Sequence, residues 1–162
     1  MWTKCPYSSV TTTADPHALA VGKFRSGGVD LITTTGQLSH QLDPLLPPSH
    51  MEASKFGRYV FMTTDRNTIA KLELVDQAVE FDSTVREIKC PDGLAVLPTG
   101  EIVVADFLSR SLHLLQPNGK WLGRLWHHPA DGEVGDRLSS VSCDDEVCVT
   151  CTWQGPAYVL QI

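Results

Sequence analysis

The chain has 162 residues and a formal net charge of −6, and 42% of its residues are hydrophobic while 20% are charged. This composition supports a buried core in one domain, or in a part of one, and excludes a disordered tail. The acidic balance argues against non-specific attachment to nucleic acid or to an anionic membrane. No run of about 18 apolar residues occurs, so we expect no transmembrane helix and no membrane partner.

The five cysteines and the first residues of the chain indicate in which cellular compartment the protein is expected. Met1–Pro6 contains no apolar segment of the kind that a secretory signal requires. An odd number of cysteines in a chain of this size favours reduced thiols over a disulfide scaffold, so we predict a cytoplasmic protein. Cys148 and Cys151 lie in a strand-like run where positions three apart point to opposite faces, so we expect no zinc site there.

An internal repeat appears when the sequence is aligned with itself. The segment that begins at Leu19 matches the segment that begins at Ile102, at an offset of 83 residues. An intermediate copy begins at Tyr59 and a fourth begins at Val147, so the period is roughly 40 to 45 residues. The sequence therefore predicts four units, at 4–43, 44–86, 87–128 and 129–162.

Each unit predicts four short strands, here called strands a to d, and the third unit shows them most clearly. Its strand b is apolar on both faces, which is typical of a strand buried on both sides. No segment of the chain shows sustained helical periodicity. The four strands of the third unit are predicted at Gly93–Leu97, Glu101–Ala105, Ser111–Leu115 and Lys120–Trp126.

Four strands in a unit of this length are typical of a β-propeller blade, so we predict an all-β propeller segment of about four blades. The first strand a is expected near Tyr7–Thr12, and the chain stops at Ile162, after strand c of the fourth unit. The last blade should therefore lack its outer strand, and we interpret the chain as the C-terminal part of a larger propeller. Open flanks and an unpaired edge strand favour self-association or a strand borrowed from a neighbour.

The third unit resembles an NHL repeat, the propeller blade found at the C-terminus of many tripartite-motif (TRIM) E3 ubiquitin ligases. The resemblance lies in Pro91–Val96, Gly100–Asp106 and Asn118–Lys120. The other units depart from the pattern, with Thr63 and Cys151 where the family prefers Asp. The resemblance implies a module that binds a protein partner, such as a ubiquitination substrate, or RNA, while the ligase chemistry lies outside this chain.

The b–c loops of the four units are predicted to share one face of the propeller and to carry the binding residues. They contain arginines and aromatic rings, which are enriched in binding hot spots and also suit stacking on single-stranded RNA. The acidic net charge favours a protein partner, with RNA as the alternative and an ordinary polar surface as the simplest explanation. The predicted partner-binding residues are Arg25, Arg66, Asn67, Phe107, Arg110 and Trp153.

A propeller enzyme is a second alternative, because some propeller lactonases and lyases hold a metal in the central channel. Asp92 and Asp106 occupy positions at which calcium-dependent lactonase propellers place ligands. However, one unit alone carries this pair, and a hard cation needs about six to eight oxygen ligands. We interpret His113 as a packed histidine, and we expect no catalytic residue, metal or cofactor in this chain.

Overall fold

The protein, analysed as a computed structural model, is described over residues 7–23, 27–42, 47–76, 78–128 and 137–162. These residues form strands β1 to β15, which are arranged in four antiparallel sheets. Within each sheet, the strands lie side by side in the order in which the chain forms them. Within these ranges, no helix is long and apolar enough to cross a membrane.

Each sheet is one blade, and its strands a to d follow chain order. Blade 1 contains β1 (Tyr7–Thr12), β2 (Ala18–Lys23), β3 (Val29–Thr33) and β4 (Leu38–Leu42). Blade 2 contains β5 (Pro48–Ala53), β6 (Tyr59–Thr64), β7 (Ile69–Glu73) and β8 (Ala78–Ser83). Blade 3 contains β9 (Pro91–Val96), β10 (Ile102–Asp106), β11 (Ser111–Leu115) and β12 (Trp121–His127). Blade 4 contains β13 (Leu138–Cys143), β14 (Val147–Thr152) and β15 (Ala157–Gln161).

The all-β propeller segment predicted from the repeat is confirmed. β1 begins and ends at the predicted residues, and β11 also matches its predicted range. Strand b of blade 3, β10, is buried along its whole length, as its run of apolar residues indicates. In the described part of the chain, blade 4 has three strands and lacks the outer strand that the other blades have.

Three hydrophobic clusters hold neighbouring blades together, one at each junction between blades. Ala20 and Met62 belong to the first cluster, Phe61 and Leu94 to the second, and Val103 and Leu138 to the third. Strand b contributes side chains to the clusters on both sides of its blade, because successive side chains point to opposite faces of the sheet. The innermost strands also pack against one another in sequence, β1 on β5, β5 on β9 and β9 on β13.

The far flank of blade 4 is less covered than the flank that faces blade 3. Along β14, Cys148 and Thr150 are buried, whereas Val149 between them is 38% exposed. Val159, which lies opposite Val149 on β15, is 71% exposed. Among the described strands, no contact as extensive as those between adjacent blades joins β13 to β1. The described blades therefore follow one another along an arc.

A disulfide joins Cys143 to Cys148, so the expectation of reduced cysteines is wrong for this pair. The two residues lie directly opposite each other across the β13–β14 hairpin, with their Cα atoms 4.1 Å apart. The turn sets this register, because Oδ1 of Asp144 accepts hydrogen bonds from two backbone N–H groups of the turn. Spacing along the chain does not reveal such a pairing across strands. Cys90 and Cys151 are free thiols.

Candidate functional site

The b–c loops of blades 2, 3 and 4 leave their sheets beside the point where strand a begins. In each blade, the first residue after strand b donates its backbone N–H to the carbonyl just before strand a. This repeated bond places the b–c loops and the entry to strand a on one face, here called the b–c face. The three bonds run from Asp65 to Pro47 over 3.2 Å, from Phe107 to Cys90 over 2.9 Å, and from Trp153 to Arg137 over 2.8 Å.

The buried carboxylate of Asp106 organises the b–c loop of blade 3. It accepts hydrogen bonds from the backbone N–H groups of Lys89, at 2.8 Å, and Cys90, at 2.9 Å, just before strand a. It also accepts one from the N–H of Leu108 at 3.1 Å and one from the hydroxyl of Ser109 at 2.6 Å. One side chain thus joins both segments of the b–c face in this blade and holds the loop in one conformation.

His113 and Trp121 extend this network behind Asp106. The indole N–H of Trp121 donates to Nδ1 of His113 at 3.2 Å, and Nε2 of His113 lies 3.9 Å from Oδ2 of Asp106. Burial lowers the pKa of His113, and the negative charge of Asp106 opposes that effect. Because Nδ1 accepts the indole bond, a neutral His113 ring carries its proton on Nε2, which faces Asp106. His113 is therefore a packed, hydrogen-bonded residue.

Two aromatic rings meet on the b–c face, where blades 3 and 4 adjoin. Phe107 and Trp153 form an edge-to-face pair, with ring centroids 6.3 Å apart and planes at 89°. The guanidinium carbon of Arg137 lies 5.2 Å from the centroid of Phe107, within the range of a cation–π contact. Trp153 itself is 62% exposed, and Leu108, the residue that follows Phe107, is 52% exposed. We call Phe107, Leu108, Arg137 and Trp153 the aromatic patch.

The structure brings together some of the predicted binding residues and separates others. Phe107 and Trp153 are in contact, whereas Arg66 and Asn67 lie exposed on the b–c loop of blade 2. Within the described ranges, no hydrogen bond, ion pair or ring contact links those two residues to the aromatic patch. Arg110 is half-buried with a left-handed backbone, and its carbonyl accepts the N–H of His128. Arg25 lies outside the described residues.

Sequence reasoning missed two members of the aromatic patch, Leu108 and Arg137. Arg137 lies just before strand a of blade 4, and its contact with Phe107 joins residues of different blades. The repeat gives no signal for Arg137, because the offset of 45 residues between the third and fourth units aligns Cys90 with Gly135; the structure instead places Arg137 at the entry to strand a. The b–c face includes that entry as well as the loops.

The residues considered for a calcium site are arranged differently from a ligand cage. Asp106 directs its oxygens at hydrogen-bond donors, as described above, and Asp92 lies half-buried on β9. Burial raises the pKa of Asp92, so its carboxylate is less favoured than that of an exposed aspartate. Within the described ranges, no group of three or more His, Cys, Asp or Glu residues could hold a metal ion.

No family model and no curated protein matches the chain. Solved structures do match it, and they identify its fold. Kuenenia stuttgartiensis hydrazine synthase matches 99% of the chain with a TM-score of 0.78 and 11% identity, over 47% of its own length. The β-propeller domain of Myceliophteria thermophila Cps50 (Swd1) matches 98%, with a TM-score of 0.76 and 12% identity, over 54% of its length. The RRP9 WD40 repeats match 99%, with a TM-score of 0.77 and 14% identity, over 52% of theirs.

These matches assign the chain a WD40-like β-propeller fold. The chain spans about half the length of the chains that it matches. At these levels of identity the matches show the fold alone, so the resemblance to NHL repeats rests on the sequence of the third unit. A shared fold does not by itself fix a function.

Proposed function

We propose that this chain is a recognition module that binds a protein partner through the aromatic patch. The observation that carries the proposal is the contact of Phe107 with both Trp153 and Arg137 on an exposed face. Aromatic rings and arginine are the side chains most enriched in binding hot spots. The buried Asp106 network already orders the loop that presents Phe107, so binding costs little additional conformational entropy.

Charge supports a protein segment with acidic and apolar residues as the partner. Arg137 lies within the aromatic patch, and Arg66 stands exposed on the adjacent blade of the same face. An acidic side chain on the partner would complement these arginines, while an apolar side chain would cover Trp153. The net charge of −6 on the whole chain raises the cost of bringing a polyanion to any of its faces.

Single-stranded RNA is the second candidate partner, and the exposed indole of Trp153 favours it. A base could stack on this ring while arginines contact the phosphates. Such binding would weaken steeply with salt, since each phosphate contact releases a counterion. Binding to a protein segment centred on aromatic contacts would depend on salt much less.

The wider role that we propose follows from the NHL-like third unit. We propose that the chain is the substrate-recognition part of a TRIM-type E3 ubiquitin ligase, with the catalytic part elsewhere in that protein. The support is the run from Pro91 to Asp106, together with a face suited to partner binding. Loss of ubiquitination of a captured partner when Trp153 is replaced in the parent protein would test this role.

The proposed site can be tested by quantitative pull-down with the chain and two single-residue variants. Trp153→Ala removes the most exposed ring of the aromatic patch, and Phe56→Ala is the matched control. Phe56 is also an exposed aromatic residue, but it lies in the a–b connection of blade 2, at the opposite end of the sheet. We expect Trp153→Ala to reduce capture of specific partners at least tenfold, while Phe56→Ala leaves it unchanged.

Filter binding to single-stranded RNA at two salt concentrations distinguishes the two classes of partner. RNA binding that weakens steeply with salt in the wild-type chain and is lost in Trp153→Ala would assign the face to RNA. Equal behaviour of both variants in both assays would show that the aromatic patch is not the binding site.

A further inference from the structure

The turn between strands c and d of blade 3 carries an asparagine that is followed directly by glycine. The chain has two asparagines, Asn67 and Asn118, and both are exposed. Asn118 is followed by Gly119, whereas Asn67 is followed by Thr68, a β-branched and half-buried residue. The two side-chain amides therefore differ in the residue that follows them rather than in their access to water.

A hydrogen bond holds the side chain of Asn118 against the backbone of the next residue. Its Oδ1 accepts the N–H of Lys120 at 3.1 Å, so the bond spans Gly119. This donor polarises the amide carbonyl and would stabilise negative charge that develops on Oδ1 during attack at Cγ. Gly119 has no Cβ to hinder the approach of its nitrogen to Cγ, and glycine adopts its φ of +83° without strain.

The closed turn restrains this attack, because the nitrogen of Gly119 is hydrogen-bonded. Its N–H donates to the carbonyl of Gln116 at 2.9 Å, and the N–H of Gln116 donates to the carbonyl of Lys120 at 2.8 Å. Both bonds have to open before the nitrogen can reach Cγ. The turn joins two strands at the end of a hairpin and Asn118 is exposed, so local opening costs much less free energy than unfolding. Opening of the turn therefore suffices to make the nitrogen available in the folded chain.

We propose that Asn118 is a site of spontaneous deamidation, which converts it to aspartate and isoaspartate in the folded protein. The nitrogen of Gly119 loses its proton to hydroxide and attacks Cγ of Asn118. The new N–Cγ bond closes a succinimide ring, and Nδ2 takes up a proton and leaves as ammonia. Water then opens the ring: cleavage of the N–Cγ bond gives aspartate, and cleavage of the bond from that nitrogen to the main-chain carbonyl carbon gives isoaspartate. Both products add one negative charge, and no atom is oxidised or reduced.

The two products affect the hairpin differently. Aspartate keeps the length of the main chain and an oxygen that accepts the N–H of Lys120. Isoaspartate leads the main chain through its side chain, which adds one atom between Gln116 and Lys120 and displaces the bonds that close the turn. Trp121 follows directly and pairs with Leu115 at this end of the β11–β12 ladder. Isoaspartate should therefore loosen the start of strand d, whereas aspartate should not. This modification is chemically independent of the proposed function.

The experiment incubates the folded wild-type chain near pH 8 and about 37 °C in water enriched in oxygen-18, and follows both asparagines by peptide mass spectrometry. Hydrolysis during the incubation introduces oxygen-18, whereas deamidation during the later digestion in ordinary water does not. We expect Asn118 to convert at least about tenfold faster than Asn67, because glycine leaves the attacking nitrogen open and threonine crowds it. Isoaspartate should be among the products. Equal rates at the two asparagines, or conversion without oxygen-18, would overturn the proposal.

A reciprocal pair of variants tests the role of the residue that follows each asparagine. Gly119→Ala places a methyl group beside the attacking nitrogen and should slow conversion of Asn118 severalfold. Thr68→Gly removes the crowding side chain after Asn67 and should speed conversion of that residue severalfold, even if Gly119→Ala disturbs its own turn. Unchanged rates in both variants would show that the following nitrogen is not the attacking group, and would overturn the proposal.

The effect on strand d is measured by urea unfolding of aged chains, which anion exchange separates from unmodified ones by their added charge. Asn118→Asp is the matched control, since it carries the charge of the aspartate product without the longer main chain, and it should unfold like the wild type. We expect the aged fraction to unfold at a lower urea concentration than Asn118→Asp. An aged fraction that contains isoaspartate and is as stable as Asn118→Asp would overturn the predicted effect on the hairpin.

Discussion

Trp121 on strand d of blade 3 donates its indole N–H to Nδ1 of His113 on strand c, with 3.2 Å between the two nitrogen atoms. His113 in turn faces Asp106, whose carboxylate holds the b–c loop. One line of polar contacts therefore runs from the outer edge of the blade to the surface proposed to bind a partner. The outer strand supports the aromatic patch although it lies far from it in the sheet.

Replacing Trp121 with Phe should destabilise the protein by about 1 to 2 kcal/mol, because the buried Nδ1 of His113 loses its donor. Urea unfolding monitored by circular dichroism measures the change. Trp153→Phe is the matched control, since the indole of Trp153 is mostly exposed, and it should change stability by less than about 0.5 kcal/mol. Equal effects of the two substitutions would contradict the role given to the Trp121–His113 bond.

Gly93→Ala should destabilise the protein by about 2 kcal/mol or more, because the inner strands of blades 3 and 4 approach closely at this residue. A Cβ atom at Gly93 would lie 2.6 Å from Cα of Ser140 and 3.0 Å from the carbonyl oxygen of Ser139. Both are backbone atoms, so β13 would have to move. Gly123→Ala, on β12, is the control, because no atom lies within 4 Å of its added Cβ. Thermal unfolding in which both variants behave alike would rule out this close packing.

Stability should fall as the pH drops from about 7.5 to about 6. Burial lowers the pKa of both His50 and His113 in the folded protein. An unfolded histidine titrates near pH 6.5, so protons bind the unfolded chain first and favour it as the pH falls. For His113 the charge of Asp106 and, more weakly, that of Glu87 oppose this shift, while that of Arg124 reinforces it.

Urea midpoints across this pH range measure the effect. The double variant His50→Gln, His113→Gln should show a flatter dependence, and Gln retains an acceptor for the Trp121 indole. At lower pH, Glu52 and Asp92 oppose this loss of stability. Burial raises the pKa of both carboxyl groups, so the folded chain takes up their protons before the unfolded chain does. A wild-type chain whose stability rises toward pH 6 would contradict the prediction.

The Cys90 thiol should react slowly with iodoacetamide near pH 8. Burial raises its pKa, and the negative charges of Asp106 and Asp92 add to the effect, so little thiolate is present. Asp92→Asn removes one of these charges and should speed alkylation of Cys90, measured by peptide mass spectrometry. Asp144→Asn, in the β13–β14 turn of blade 4, should leave the rate unchanged. Unaltered alkylation in Asp92→Asn would exclude the electrostatic contribution.

Peptide mapping without reductant should recover Cys143 and Cys148 as one disulfide-linked pair. The bond closes a short loop, so reducing it should cost at most about 2 to 3 kcal/mol of stability in the loop-entropy estimate. The hairpin also remains joined by its hydrogen-bonded register. Thermal unfolding with and without reductant measures the difference. Alkylation of both cysteines in the unreduced, folded protein would contradict the pairing.

The sequence by itself determined that the chain forms all-β propeller blades, and it determined where most of their strands lie. Each of these features depends on local patterns, namely alternating or continuous apolar runs, turn residues and a repeat of roughly 40 to 45 residues. Tyr7–Thr12 and Ser111–Leu115 match their predicted ranges because the pattern of residues within a short strand, and the turn residues at its ends, can be read from the local sequence.

Tertiary structure alone decided which side chains meet. Phe107 contacts Trp153 because two blades pack side by side, and Arg137 reaches Phe107 across the same junction. Cys143 meets Cys148 because the hairpin register places them opposite each other. Such contacts depend on register and on the packing of whole sheets, which many distant residues set together. No local pattern along the chain contains that information, so the b–c loops could be predicted from sequence, whereas the contacts within the aromatic patch could not.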